Sequence, residues 1–508
     1  MNDRMPWLDR LLLCLLSVAL ASQPLRGEAS EETLPNFVVI LADDMGYGDV
    51  QNLNPDSEIP TPHLDRLARE GMRFLDAHSP SGVCTPTRYG LLTGRYCWRS
   101  SLKRGVLGGY SPPLLGAKQA TLASMLKRRG YVTGAVGKWH LGMQLPVLRK
   151  DAERTAWAGD PGIDFGGVIV DSPIHHGFDS YFGVSASLDM APYVYIRNDR
   201  FTRLPTLQQA AMKFPHFVRQ GPRAEDFVID QVLDRLTDEA VGFIESTAAQ
   251  KRPFFLYVPL TGPHKPAMPH ARFKGKTSLS EYGDLIVQVD WTVGRILKSL
   301  DDAAITENTL IVFSSDNGSY MYRYDEVAAP DHVDDVTIQG FRADRHRANG
   351  PFRGTKADVW EGGHHVPFFA RWPARIRAGS DCRTTVCLTD LFATFREIAE
   401  VPRVDGEAED SFSLLRLLTE ESDVRGAPVI HHSSGGMFAI REGKWKLVLG
   451  NGSGGRERPR GKAFERPYQL FDMESDWKET KDLSGEYPAL VDRLEIRLEA
   501  IRKSSRAY

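Results

Sequence analysis

Four short apolar runs, at 36–42, 131–136, 253–259 and 309–314, constrain the fold more than any other feature of the chain. Each has the length and the β-branched and aromatic content of a strand buried on both faces. Each also gives way at once to residues that carry chemistry. Asp43 and Asp44 follow the first run, Lys138 and His140 the second, His264 the third, and Asp316 and Asn317 the fourth. Amphipathic stretches at 61–71, 121–130, 226–247 and 282–300 are long enough to cross back over a sheet. The pattern predicts an α/β domain, a large sheet covered by helices on both faces. Ligands of open α/β sheets bind beyond the carboxyl ends of the strands. Four such ends bearing reactive groups therefore predict one convergent site.

With 508 residues, the chain exceeds what one small core accommodates. Its texture changes near residue 404. Beyond that point come an acidic linker, strand-like pieces at 437–449, a Gly-rich turn at 450–455 and a helical pattern at 489–503. The expected organisation is a large domain over 33–403 and a small α+β subdomain over 404–508.

A formal net charge of -3 gives no electrostatic case for nucleic acid or for stable association with an anionic membrane. Arg4 and Arg10 flank the start of an apolar stretch at 11–21 that ends Ala19-Leu20-Ala21, an A-x-A cleavage pattern. Spanning a bilayer takes about 20 apolar residues, roughly twice this run. Residues 1–21 thus read as a signal peptide. The mature protein is expected to be exported: periplasmic or extracellular in a bacterium, lysosomal or secretory in a eukaryote. Cleavage removes Cys14 and leaves Cys84, Cys97, Cys382 and Cys387 of the five cysteines. Export tolerates disulfides, and a local Cys382–Cys387 pair is open.

Asp43, Asp44, Asp316 and Asn317 are oxygen ligands at the ends of two separate buried strands, a set suited to a hard divalent cation. Adjacent carboxylates repel unless a cation lies between them, although an Asp-Asp pair alone also suits a helix cap or a turn. Lys138 and His140, then His264, then Arg353 and Lys356 bring cations and imidazoles to the same strand ends. Fixed donors of that kind stabilise a tetrahedral or developing oxyanion without reorganising water. Taken singly, each is equally a surface charge or a structural histidine. Cys84, in the run Cys84-Thr85-Pro86-Thr87-Arg88, permits two readings on its own residues: a buried thiol, or a thiolate activated by Arg88 and a helix N-terminus.

The CTPTR run at 84–88 with LTGR at 92–95 resembles the signature of formylglycine-dependent sulfatases. The blocks LADDMGYGD (41–49), GKWHLG (137–142), HGFDSYFG (176–183), TGPHKP (261–266), SDNG (315–318) and EGGHHVP (361–367) resemble that family's blocks in the same order. Residues 187–200 and 349–363 are similar to those of the arylsulfatase A and N-acetylgalactosamine-6-sulfatase branch. The resemblance implies an alkaline-phosphatase-like fold, a large mixed sheet with a small C-terminal subdomain. It implies conversion of Cys84 to formylglycine by a formylglycine-generating enzyme, and one Ca2+ ion held by Asp43, Asp44, Asp316 and Asn317. Arg88 would hold the hydrate, Lys138 and Lys356 would bind sulfate oxygens, His140 would sit beside the hydrate, and His264 would protonate the leaving alcohol.

The implied reaction is sulfate ester hydrolysis on a sulfated small molecule or glycan. His365 stands where the family commonly has Arg, which we read as a packing or ion-pair difference. His431 and His432 are expected either at the pocket mouth or as a surface or strand-end pair. A phosphoester or phosphonate monoester hydrolase of the same superfamily, or a non-catalytic glycan binder, are the competing functions.

Overall fold

The computed structural model describes residues 34–148, 162–213, 216–321, 346–421 and 424–504. The expected signal peptide at 1–21 lies outside them. Residues 35–508 make up one compact unit.

The strands are β1 (Asn36–Asp43), β2 (Met72–Phe74), β3 (Val132–Lys138), β4 (Ser180–Val184), β5 (Ile196–Arg197), β6 (Arg200–Phe201), β7 (Phe254–Pro263), β8 (Thr309–Ser315), β9 (Phe368–Arg371) and β10 (Ser380–Cys382). A small separate set comprises β11 (Val429–His432), β12 (Phe438–Glu442), β13 (Trp445–Val448) and β14 (Gln469–Asp472). The helices that matter for the site are α1 (Pro62–Glu70), α2 (Cys84–Thr93), α3 (Leu122–Lys127), α4 (Val232–Ala248), α5 (Ser280–Asp302), α6 (Leu391–Ile398) and α7 (Pro488–Lys503).

The large sheet is ten-stranded, in the order β10-β2-β9-β8-β1-β7-β3-β4-β5-β6. Its centre is parallel: β1 pairs with both β7 and β8, β7 pairs with β3, and β3 with β4. The flanks turn antiparallel at β9 against β8 and at β5 against β4, so the sheet is mixed, as expected. All four predicted runs are strands. Their buried side chains on both faces are what crossover helices require. The third is longer than its apolar run, continuing through Thr261 to Pro263.

Helices α4 and α5 pack on β7, with α1 against α5. On the other side α2, α3 and α6 pack together, and Phe395 of α6 stacks on Phe37 of β1 with ring centroids 4.3 Å apart. Local sequence sets the helix starts. Pro62 occupies the first turn of α1, while Thr121 Oγ1 accepts from Ser124 N at the head of α3. Helix α3 is shorter than its amphipathic stretch.

Strands β11 to β14 form the small antiparallel sheet, closed by α7. Its core is shared with the large domain: Tyr96 and Trp98 pack among Ile430, Phe438, Leu447, Leu494 and Leu498. Cys84, Cys97, Cys382 and Cys387 are all free thiols, so no local Cys382–Cys387 bridge forms. The two lie on different pairings, Cys382 against Phe74 and Cys387 against His78.

Candidate active site

The carboxyl ends of β1, β8, β3 and β7 converge as their sequence predicts. Asp43 is the last residue of β1, and Asp44 follows with φ 66°, a left-handed turn that brings the second carboxylate back over the strand end. Asp316 and Asn317 follow β8. The two pairs interlock: Asp44 N donates to Asp316 Oδ1 at 3.2 Å, and Asn317 Nδ2 donates to Asp44 Oδ1 at 2.7 Å.

Lys138 closes β3 instead of following it. Gly137 has φ 139°, and a Cβ there would stand 1.9 Å from Pro259 O, so only glycine allows β3 and β7 to approach this closely. The lysine thereby reaches Asp43 Oδ2 at 2.7 Å, with both groups wholly buried.

Cys84 is the first residue of α2, and Arg88 lies one turn on. The guanidinium donates Nε and Nη2 to Asp316 Oδ2 (3.0 and 2.7 Å) and Nη1 to Lys138 O (2.9 Å). Arg88 thus fixes two strand ends from a helix packed over them. Lys356 arrives on the 349–356 loop, its backbone N–H bonded to Ser319 O, and places Nζ 2.6 Å from Asp44 Oδ1 and 3.6 Å from Cys84 Sγ. Arg353, named beside it, instead covers the Trp360 ring at 3.5 Å.

The two imidazoles have readable tautomers. His264 Nδ1 lies 2.5 Å from Lys265 O and so carries its proton there, which turns Nε2 toward Asp44 Oδ2 at 3.6 Å. His140, held at φ 58°, donates Nε2–H to Leu107 O at 2.7 Å, and its buried Nδ1 has no partner. Leu107 N in turn donates to Thr85 Oγ1, tying this arm to the head of α2. Burial, then the neighbouring lysines, and for His140 Arg88 as well, push both imidazoles well below their ordinary value.

Electrostatics narrows the readings of Cys84. Burial, then Asp316, push its thiol far above the ordinary range despite the nearby lysines. A thiolate at the head of α2 is therefore disfavoured, and the helix N-terminus does not activate it. Asp43 is raised to about 7 by burial and by Asp316 and Asp44, against the pull of Lys138 and Arg88. Asp316 is held below the usual carboxylate range because Arg88, Lys138 and Lys356 outweigh its burial.

A cation fits this cluster. Among the described residues Asp43 Oδ1 and Asn317 Oδ1 are buried acceptors without a hydrogen-bond partner, and both belong to the predicted oxygen set. Asp43, Asp44, Cys84 and His264 each offer a donor atom within 4.8 Å of the others.

Sequence reasoning missed the rim. Arg219 Nη1 donates to Asp189 Oδ2 at 2.6 Å, and Lys265 Nζ lies 4.7 Å over the Phe217 ring. Burial, with Lys356 and Arg456 nearby, lowers the Lys265 ammonium. Lys265 was visible as the neighbour of His264, whereas the thirty-residue separation of Asp189 and Arg219 carried no signal. Of the alternatives for His431 and His432, the strand-end pair is the one found: they close β11, fully buried, and not at a surface. His365 bonds Glu361 Oε2 at 2.9 Å and stacks on Phe352.

A mixed α/β sheet with buried carboxylates, lysines and imidazoles gathered at its carboxyl edge defines a hydrolase of tetrahedral oxyanion esters. Residues 35–401 match the family model Sulfatase, and the chain belongs to that family: it is a sulfuric ester hydrolase. It is 30% identical to an N-acetylgalactosamine-6-O-sulfatase of Bacteroides thetaiotaomicron, over 97% of this chain and 99% of that protein. It is 31% identical to the N-acetylgalactosamine-6-sulfatase of Canis lupus familiaris, over 86% of this chain and 74% of that one.

Among solved structures, a sulfatase described under the metabolism of multiple glycosaminoglycans by Bacteroides thetaiotaomicron superposes with TM-score 0.78. It is 28% identical, with 93% of this chain and 100% of that one covered. The phosphonate monoester hydrolase of Agrobacterium radiobacter shares the fold at TM-score 0.56 and 17% identity, over 93% of this chain and 96% of that one. No helix among the described residues is long and apolar enough to cross a membrane.

Proposed function

We propose that this sulfatase removes sulfate from 6-sulfated N-acetylgalactosamine or a closely similar sugar, using formylglycine made from Cys84 and a calcium ion held by Asp43, Asp44, Asp316 and Asn317. The observation that carries the reading is the position of Cys84 Sγ, 3.6 Å from Lys356 Nζ and within 4.8 Å of donor atoms of Asp43, Asp44 and His264. A thiol so strongly held in its protonated form is a poor nucleophile but stands where one is needed. Cys84, once converted to a formylglycine hydrate, would supply a pair of geminal hydroxyls, one as nucleophile and one for release of sulfate. Calcium supplies charge neutralisation of the sulfate oxygens.

The protein's own groups do the rest. Lys138 and Lys356 bind sulfate oxygens, and Arg88 keeps Asp316 and the end of β3 in register. His264 Nε2 faces the site as an acceptor, its Nδ1–H being held by Lys265 O; an anionic ester bound beside it raises its proton affinity, and the proton taken up there passes to the departing alcohol. His140 takes a proton at Nδ1, the atom that Leu107 leaves free. Lys265 and the Asp189–Arg219 pair stand at the rim, where a sugar would be recognised. The sugar assignment rests on the names of the relatives and on this polar rim.

Residues 33–403 would form the catalytic domain and 404–508 its subdomain. Cleavage of 1–21 would export the chain, making a formylglycine-generating enzyme its maturation partner; N-terminal sequencing of the secreted protein tests that step. The central test pairs mass spectrometry of the Cys84 peptide with sulfate release from a panel of sulfated monosaccharides and a phosphate ester. Loss of sulfur and gain of oxygen at Cys84, with fastest release from N-acetylgalactosamine 6-sulfate, is expected. An unmodified Cys84 in a fully active preparation would refute the mechanism, and preference for another ester would refute the substrate.

A further inference from the structure

Between the large sheet and the small one lies a second cluster of donors that the sulfatase reaction does not use. His78 belongs to the short Ala77–His78 strand, His364 ends the Glu361–His364 helical turn, and His431 lies in β11. All three have no solvent exposure, and each offers one nitrogen within 4.8 Å of the others. The rings of His364 and His431 stack with centroids 3.8 Å apart, and those of His78 and His431 lie 4.9 Å apart.

Partners on the far side of each ring fix where its lone pair points. His78 Nε2 is 2.6 Å from Asp76 Oδ1 and donates to that carboxylate, leaving Nδ1 as the acceptor. His364 Nε2 lies 2.9 Å from Val359 O and donates to it, again leaving Nδ1. The two Nδ1 atoms then face each other at 3.0 Å. His431 Nδ1 lies 3.3 Å from Ser79 O, and its buried Nε2 has no partner. Confronted imidazole lone pairs in a dry core are costly unless a cation lies between them. A carboxylate or carbonyl behind each imidazole is the arrangement that orients metal-bound histidines.

We propose that His78, His364 and His431 bind a zinc-type transition-metal ion that ties the small C-terminal sheet to the catalytic domain, at a site separate from the catalytic cluster. Tetrahedral bonds of about 2.0–2.1 Å place donor nitrogens about 3.3 Å apart, close to the 3.0 Å between the two Nδ1 atoms. Glu361 Oε2, 3.9 Å from His78 Nδ1 and bonded to His365 Nδ1 at 2.9 Å, sets a carboxylate beside the three nitrogens. An imidazole-rich set with one carboxylate selects zinc over calcium or magnesium.

The surrounding charge agrees with a cation. Asp76, Glu361 and Glu479 carry three acidic groups, against Lys446, which bridges the two glutamates at 2.8 and 2.7 Å, and Arg441, 3.4 Å from Asp76. A cleft of about 990 Å³ is lined by Asp76, Glu361 and His365, residues that adjoin the cluster.

The competing arrangement has no metal. In it Lys446, 3.2 Å from His364 Nε2, donates there, and His364 Nδ1–H points at His78.

Cobalt distinguishes the two, because nitrogen-ligated tetrahedral Co2+ absorbs visible light strongly and an octahedral oxygen site hardly does. The full chain, chelator-treated and returned to saturating calcium, is titrated with Co2+ alone and then with Zn2+. Expected are one equivalent of the intense band, its bleaching by zinc, and a rise in melting midpoint on zinc addition at constant calcium. The band should persist in Cys84→Ala and vanish in His431→Gln, with sulfate ester turnover of the latter retained in calcium. Absence of the band in the unmutated protein overturns the proposal whatever the variants do. So does a band that survives in both His431→Gln and His364→Gln, or one that Cys84→Ala removes.

Discussion

Lys356 joins the two halves of the catalytic cluster: its ammonium lies 2.6 Å from Asp44 Oδ1 and 3.6 Å from Cys84 Sγ. Burial alone would lower its affinity for the proton, but Asp44, Cys84, Asp43 and Asp316 raise it well above the ordinary value, so it is a fixed positive charge at any working pH. A fixed charge beside the reacting atom acts as an oxyanion donor does, and removing one such donor costs about 10²–10³ in kcat. Lys356→Ala is expected to lose that much in kcat on a sulfate ester while keeping its fold. Steady-state kinetics beside a circular dichroism spectrum check it. A variant within threefold of the parent would show that Lys356 serves the fold alone.

The Arg88–Asp316 pair differs in kind, being wholly buried and bonded twice to one carboxylate oxygen. Breaking a buried pair by removing one partner leaves an uncompensated charge and costs about 3–5 kcal/mol. Arg88→Gln should therefore lower the stability measured by chemical denaturation by an amount in that range as well as abolish turnover. The loss should be smaller in Arg88→Gln/Asp316→Asn than the sum of the single changes, because the two residues are in contact. Additive losses would mean that the pair contributes no coupling.

The strand ends were legible because burial on both faces leaves a continuous apolar run whose end is abrupt: Ala42 gives way to Asp43, and Ser315 to Asp316. Strand limits were less legible where polar groups are themselves buried. Lys138 belongs to β3 because Asp43 neutralises it inside the core, and nothing in Gly137-Lys138-Trp139 announces that partner. The same physics hid the burial of His431 and His432, for which sequence left a pocket mouth, a surface and a strand end open. His431 is covered by His78 and His364, each more than sixty residues away along the chain. Cys382 and Cys387 are near neighbours in sequence yet separate in space because each pairs with a different strand.

Calcium removal should act on stability and catalysis together. Asp43, Asp44 and Asp316 gather three carboxyl groups at two strand ends, and Asp43 Oδ1 and Asn317 Oδ1 have no hydrogen-bond partner among the described residues. A bound cation stabilises the folded state by mass action, roughly 2.7 kcal/mol at a hundredfold excess over Kd. Chelation is expected to lower the melting midpoint and eliminate sulfate release, with calcium restoring both and an equal concentration of magnesium restoring less, since magnesium tolerates only near-ideal octahedral geometry. Activity that survives exhaustive chelation would contradict the ligand assignment.

Far from the site, Asp290 of α5 makes stability depend on pH in a direction opposite to most carboxylates. It caps α1, accepting from Leu64 N at 2.8 Å and His63 N at 3.1 Å through Oδ1. Burial, with Asp65 nearby, raises its carboxyl to about 7 although those backbone bonds oppose the change. The folded state therefore binds this proton more tightly than the unfolded state, whose value is 3.8. Between about pH 4 and 7 the folded protein holds more protons here, so this contribution to stability declines as pH rises through the window. Asp290→Asn keeps the Oδ1 acceptor for Leu64 N and cannot ionise. Relative to it, the parent should lose about 2–4 kcal/mol between pH values of about 4 and 8, since each tenfold difference in proton affinity between the two states is worth about 1.4 kcal/mol. Urea denaturation of both proteins across that range measures the difference, and parallel stability curves would mean that Asp290 does not titrate in the folded state above its unfolded value.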